Sequence, residues 1–196
     1  ASALQGKMPM RSWKLKTDTD GKVKLDEAYK VSGSAFYLDA SEKPAFPLGT
    51  VTIQETKAPK GYLINTEIIV RKITATGNQE TLSVYNAPVI KDEVMRGDIQ
   101  LTKFAEDSDA EVEKKVPLEG IKFKLTSKTT GKYWNIVTDK NGFASTKSLK
   151  ISDHGNLPYD TYVISETNTP KEYKKIEDFE VTIAEDNQTL SYIIEN

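Results

Sequence analysis

The sequence predicts an all-β chain of two tandem immunoglobulin-like antiparallel β-sandwich domains, the first short of at least one N-terminal strand. Three observations carry this prediction. One pattern occurs twice along the chain, short alternating runs are divided by turn residues, and no stretch sustains a helical period beyond about two turns.

The repeat is read directly. Trp13-Lys14-Leu15-Lys16-Thr17-Asp18-Thr19-Asp20-Gly21 aligns without gaps with Trp134-Asn135-Ile136-Val137-Thr138-Asp139-Lys140-Asn141-Gly142, sharing Trp, Thr, Asp and Gly. Farther on, Phe46-Pro47-Leu48-Gly49-Thr50-Val51-Thr52-Ile53-Gln54-Glu55-Thr56 parallels Leu157-Pro158-Tyr159-Asp160-Thr161-Tyr162-Val163-Ile164-Ser165-Glu166-Thr167. Each copy then reaches a strand ending in asparagine, at Asn86 and Asn196. The expected domains are 1–90 and 97–196, divided where Pro88 ends a strand and Lys91-Asp92-Glu93 is polar.

Strands are expected at Asp98–Phe104, Gly120–Ser127, Tyr133–Thr138, Thr161–Glu166, Phe179–Ile183 and Leu190–Ile194. In each, β-branched and aromatic residues are enriched, with Gly, Asn, Asp or Pro between the runs. Such spacing fits an antiparallel sandwich. Asp26-Glu27-Ala28-Tyr29-Lys30 is the best short helical segment. The copies differ in length. About thirty residues from Asp98 precede Trp134 and are expected to supply two strands, whereas twelve precede Trp13.

Composition narrows the function. Charged residues make up 29% and the net charge is −2, so nothing draws the chain to nucleic acid or an anionic membrane. No apolar run approaches the roughly 20 residues that span a bilayer. The chain has no cysteine, which excludes disulfides, thiolate metal sites and a cysteine nucleophile. One histidine, His154, sits in the turn-like run Ser152–Asn156 and cannot build a histidine-based metal site or a serine–histidine pair. No cofactor and no metal site is expected. Asp18-Thr19-Asp20-Gly21 has the look of a calcium loop but lacks the distal glutamate, and Asp-Gly turns between strands are common. Leu157-Pro158-Tyr159-Asp160-Thr161 superficially matches a sortase sorting signal, yet it lies mid-domain without the glycine or an apolar tail.

Strand parity exposes the candidate site. Successive strand side chains point to opposite faces. Lys103 shares parity with Ile99 and Leu101, Glu166 with Tyr162 and Ile164, and Asn196 with Leu190, Tyr192 and Ile194. Three strands thus each place one polar group in the apolar register: an amine, a carboxyl and a carboxamide. Burial lowers a lysine pKa and raises a carboxyl pKa. Lys103 would then offer a neutral amine, and Glu166 would move protons while the amine attacks Asn196, closing an internal amide. Fixed geometry can supply about 7–11 kcal/mol of such a barrier. The reaction occurs once per molecule, so the chain is expected to be no enzyme.

Glu55-Thr56-Lys57-Ala58-Pro59-Lys60-Gly61-Tyr62 resembles the E-box of Cna protein B-type domains of Gram-positive pilins and surface adhesins. Glu166-Thr167-Asn168-Thr169-Pro170-Lys171-Glu172-Tyr173 is a weaker version, and Leu101-Thr102-Lys103 looks like the family's lysine strand. The resemblance implies a prealbumin-like sandwich, a Lys–Asn isopeptide bond with a catalytic glutamate, cell-wall attachment, and a stalk role in an adhesin or ancillary pilin. It implies partners among other domains of the same surface protein, pilin subunits or host surface ligands. In the first domain it leaves a degenerate site of Glu55 and Asn86, because counting back from Trp13 puts the matching lysine ahead of residue 1. The rival expectation is a ligand-binding sandwich, such as a carbohydrate-binding module. That reading needs exposed aromatics on one face, whereas Trp13 and Trp134 have apolar parity partners in Leu15 and Ile136 and are expected in the core. A transthyretin-like hydrolase would need more histidines than one.

Overall fold

Alternating apolar residues bounded by turn formers give strands, and in the computed structural model the regular structure of the described residues is almost all β, as predicted. The structure describes residues 10–73, 89–107 and 114–195, with the side chains of 106, 107 and 114 left aside. Two compact units form. The first comprises Ala1–Thr56 and Asn65–Lys91, the second Lys57–Ile64 and Asp92–Asn196. Among the described residues no helix is long and apolar enough to cross a membrane.

In the first unit, β1 (Trp13–Leu15) pairs antiparallel with β2 (Lys30–Gly33), β3 (Tyr37–Leu38) with β4 (Pro44–Ala45), and β5 (Gly49–Gln54) with a later strand, Ile68–Ile73. Trp13 anchors this unit. Its ring lies 5.8 Å from Phe36 and meets Tyr37 and Phe46 edge-on, while the Arg11 guanidinium stacks 3.9 Å from the Tyr37 ring centre. The helical candidate Asp26–Lys30 is only a 3-10 turn, Glu27–Tyr29, capped by Asp26 Oδ1 accepting from Ala28 N at 2.8 Å.

The repeated Asp-x-x-Gly motif makes the same turn twice. Asp18 Oδ1 accepts from Asp20 N and Lys22 N at 3.0 and 2.8 Å, and Asp139 Oδ1 accepts from Asn141 N and Phe143 N at 2.8 and 3.0 Å. Both closing glycines, Gly21 and Gly142, have φ of 73°, the left-handed region that side chains with a Cβ disfavour. The acidic side chain therefore serves its own turn.

The second unit includes a short ladder, β6 (Tyr62–Leu63) with β8 (Glu93–Val94), where β7 denotes Ile68–Ile73. Its first main sheet is organised by β9 (Arg96–Asp107). One edge of β9 takes β10 (Lys114–Pro117), β13 (Phe143–Ser145) and β14 (Leu157–Pro158) in succession, all antiparallel. Along the other edge runs the parallel strand β17 (Gln188–Glu195). The second sheet has the order β12 (Tyr133–Val137), β11 (Lys122–Ser127), β15 (Asp160–Glu166), β16 (Phe179–Ile183). Three strands rather than the expected two precede Trp134, because Lys114–Pro117 pairs as β10 despite its lysines and terminal proline. That composition suits a strand at a sheet edge.

Between the sheets lie Ile99, Leu101 and Ala105 of β9, Phe123 and Leu125 of β11, Tyr162 and Ile164 of β15, Val181 and Ile183 of β16, and Ile194 of β17. Each fully buried Leu, Ile or Phe stabilises the fold by about 1.5–3 kcal/mol relative to exposure. Trp134 packs against this core, with its ring 5.9 Å from Tyr162 and edge-on to it. Both tryptophans are engaged in packing, as their parity partners predict.

Candidate functional site

Residues Ile99, Leu101, Lys103 and Ala105 alternate along one face of β9, and all four are buried. The alternation that drives Ile99 and Leu101 inward carries the lysine with them. Its backbone is fixed through both of its polar groups. Lys103 N donates to Gly142 O at 2.8 Å, and Leu118 N donates to Lys103 O at 3.0 Å. On β15, Tyr162, Ile164 and Glu166 alternate in the same way and are likewise buried. Glu166 ends its strand opposite Phe123, and the residues after it clamp that end. Thr167 N donates to Lys122 O at 2.9 Å, while Asn168 donates through Nδ2 to Gly120 O and accepts from Lys122 N.

The two polar side chains meet between the sheets. Lys103 Nζ lies 3.7 Å from Glu166 Oε2, with both side chains fully removed from solvent. That distance is an ion-pair contact and too long for a hydrogen bond. Neither Glu166 oxygen has a hydrogen-bond partner among the described residues. Desolvation draws the Lys103 amine below the ordinary lysine value, and the charge of Glu166 opposes the shift without overcoming it. The arrangement is an amine whose protonated form is disfavoured by burial, beside a carboxyl group without a hydrogen-bond partner among the described residues, between two apolar sheet faces.

Asn196 lies outside the described residues. The strand leading to it runs beside Lys103: in the parallel ladder Ile194 is opposite Lys103 and Glu195 opposite Phe104. Ile194 is buried, and Glu195 pairs with Lys115 of β10 on the outer side. Of the first-domain residues, Glu55 is half-buried and its Oε2 accepts from Asn65 N at 2.7 Å. No lysine pairs with Glu55 among the described residues, and Asn86 lies outside them. His154 is exposed in its loop, as its sequence setting predicts.

Strand parity misses a second buried polar group. Asp98 Oδ1 accepts from Thr146 Oγ1 at 2.6 Å and from Asn156 Nδ2 at 2.9 Å, and Thr146 Oγ1 accepts from Ile99 N at 3.0 Å. All three residues are buried. Asp98 has the outward parity of β9, so its burial comes from the 146–156 loop folding over it, which an alternation pattern does not register. Tyr162 OH donates to Pro158 O at 2.6 Å and fixes the start of β15, and burial pushes that phenol's pKa up.

The family model described as SpaA, prealbumin-like fold domain, matches the chain twice, over residues 4–88 and 97–196. Among curated proteins no sequence match is found. Among solved structures, the Bacillus anthracis TIE protein is 20% identical with a TM-score of 0.55, covering 86% of this chain and 29% of its own. The major pilin subunit of Bacillus cereus is 28% identical over 54% of this chain and 32% of its own, with a TM-score of 0.38. The minor pilin GBS52 of Streptococcus agalactiae is 18% identical over 96% of this chain and 83% of its own, with a TM-score of 0.42. The chain spans about a third of the length of the first two.

Proposed function

The chain belongs to the family of SpaA prealbumin-like fold domains, and from that premise we propose that it is a stalk region of a Gram-positive surface adhesin or ancillary pilin, braced by one self-formed amide between Lys103 and Asn196. Its domains are pilin-like structural modules. In this reading they stand in tandem as 1–90 and 97–196, outside the cell and attached to its wall. Their partners are neighbouring domains of the same protein, pilin subunits or host surface ligands.

The observation that carries the proposal is the buried approach of the Lys103 amine to Glu166 beside β17, the strand that precedes Asn196 in the chain. Burying an ion pair in an apolar core can cost more in desolvation than it returns, so the Lys103–Glu166 contact makes better sense as part of a reaction site than as a brace in itself. In the proposed step Lys103 Nζ, neutral because desolvated, attacks the carboxamide carbon of Asn196. Glu166 accepts a proton from the attacking nitrogen and passes it to the departing one. A new C–N bond forms, the carboxamide C–N bond breaks, and ammonia leaves. The product is a neutral amide, so the nitrogen of Lys103 can no longer take up a proton and bring a charge into the core. Glu166 is thus a catalytic group used once per molecule, and the protein is no enzyme in the turnover sense. The first domain, where Glu55 meets no lysine among the described residues, carries no such bond within this chain.

Intact-mass measurement tests the proposal. The wild-type chain is expected to be one ammonia lighter than its sequence, with Glu166→Ala and Lys103→Ala both at full mass. A full-mass wild type overturns the proposal, and a loss of two ammonias overturns the account of the first domain.

A further inference from the structure

The placement of Glu166 depends on the two residues that follow it. Along an antiparallel ladder, hydrogen-bonded pairs alternate with pairs that have no bonds of their own, and each hydrogen-bonded pair exchanges two main-chain bonds. Thr167 N donates to Lys122 O at 2.9 Å, which puts Lys122 and Thr167 at a hydrogen-bonded pair. Glu166, opposite Phe123, therefore sits at a pair held only through its neighbours. A strand that continued would return the Lys122 N–H to the carbonyl of Thr167. That donor goes instead to the side-chain oxygen of Asn168, whose Nδ2 donates to Gly120 O at 2.9 Å. One carboxamide, with an acceptor and a donor on the same short group, thus does the work of a further strand residue. The chain can leave the sheet directly after Thr167 while the ladder stays closed beyond Glu166.

β15 accordingly runs through Glu166, whose oxygens have no hydrogen-bond partner among the described residues and whose Oε2 lies 3.7 Å from the Lys103 amine. The first copy of the repeat differs at these points. Lys57 stands where the second copy has Asn168, and a lysine offers no acceptor. There β5 ends at Gln54, one residue short of Glu55, and the carboxylate accepts from a main-chain donor, Asn65 N. We propose that Asn168 is a positioning residue for amide formation, closing the β11–β15 ladder so that the Glu166 carboxyl stays turned between the sheets toward Lys103. The inference rests on the bracing amide proposed above and names the residue that sets its proton-moving group. Asn168 acts through the backbone, since its hydrogen bonds go to Gly120 and Lys122 and not to the reacting groups.

The full chain, made by cell-free translation and sampled over time by intact mass, gives the rate of ammonia loss. Asn168→Ala should react at about one tenth of the wild-type rate or less, because small misplacements of reacting groups are costly. Asn168→Asp keeps an oxygen for Lys122 N but, when ionised, offers Gly120 O no donor, so its rate should fall between the two. Asn168 is itself exposed, so neither change opens a gap in the core. A spectroscopic arm separates positioning from general support. In Asn196→Ala, which cannot form the bond, carbon-13-labelled glutamate reports the Glu166 carboxyl, assigned with Glu166→Gln. Adding Asn168→Ala should move that resonance while the chain remains folded. An Asn168→Ala rate equal to wild type, or an unmoved Glu166 resonance, overturns the inference and leaves the bracing amide standing. A wild type that never loses ammonia overturns both.

Discussion

Replacing Asn196 by alanine removes the proposed electrophile and leaves Lys103 and Glu166 in place. If wild type carries the amide, the substitution opens a loop of roughly 90 residues that had been closed at its ends. Treating the cross-link by the chain-entropy relation used for disulfides, that closure is worth about 4–5 kcal/mol. For a domain of about 100 residues each kcal/mol moves the melting temperature by roughly 4–8 °C. The second unit of Asn196→Ala is therefore expected to melt roughly 16–40 °C below that of wild type by scanning calorimetry. Strand geometry should add resistance to pulling, since β9 and β17 lie side by side in the sheet and a covalent link would stop their shearing apart. Equal melting temperatures for the two proteins, with wild type one ammonia lighter, would refute the entropy argument.

Three further outcomes follow from the same geometry. In Asn196→Ala the amine of Lys103 stays buried and titrates with a folded pKa below its ordinary value of 10.5. Between those two values the unfolded chain binds the extra proton, so unfolding free energy should rise with pH across that window, by up to about 1.4 kcal/mol per unit; denaturant melts from pH 7 to 10 should show a slope that bonded wild type lacks. Gly142→Ala should destabilise the second unit by about 1–3 kcal/mol, because at φ 73° its Cβ would lie 2.4 Å from the carbonyl oxygen of Lys103; the slowing of ammonia loss after refolding checks whether β9 has shifted. Thr146→Val removes one hydroxyl that bridges Asp98 and the amide of Ile99, and should cost about 1–3 kcal/mol in chemical denaturation, with Thr146→Ser restoring most of it.

Much of the second unit is legible from parity. Lys103 and Glu166 stand in apolar register on strands whose alternation is unbroken, so their inward placement follows from the period of a strand and from nothing longer in range. The repeat carries equal weight, since the Asp18 and Asp139 turns share their hydrogen bonds and their glycine conformation. What parity cannot supply is cover from a loop. Asp98 points to the solvent side of β9 by count, and only the 146–156 segment buries it. Strands β13 and β14 are three and two residues long, too short for alternation to reveal. The segment Lys57–Ile64 shows the same limit at the scale of domains. Its residues continue the first repeat in sequence, yet they pack in the second unit, where Met95 N donates to Gly61 O at 2.8 Å and a Cβ on Gly61 would strike the ring of Tyr159.

The most direct test is tandem mass spectrometry on a proteolytic digest of the untreated protein. A branched peptide is predicted in which the side chain of Lys103 is joined to that of Asn196 with ammonia lost. Recovery of the two peptides separately, each at its unmodified mass, would contradict the account.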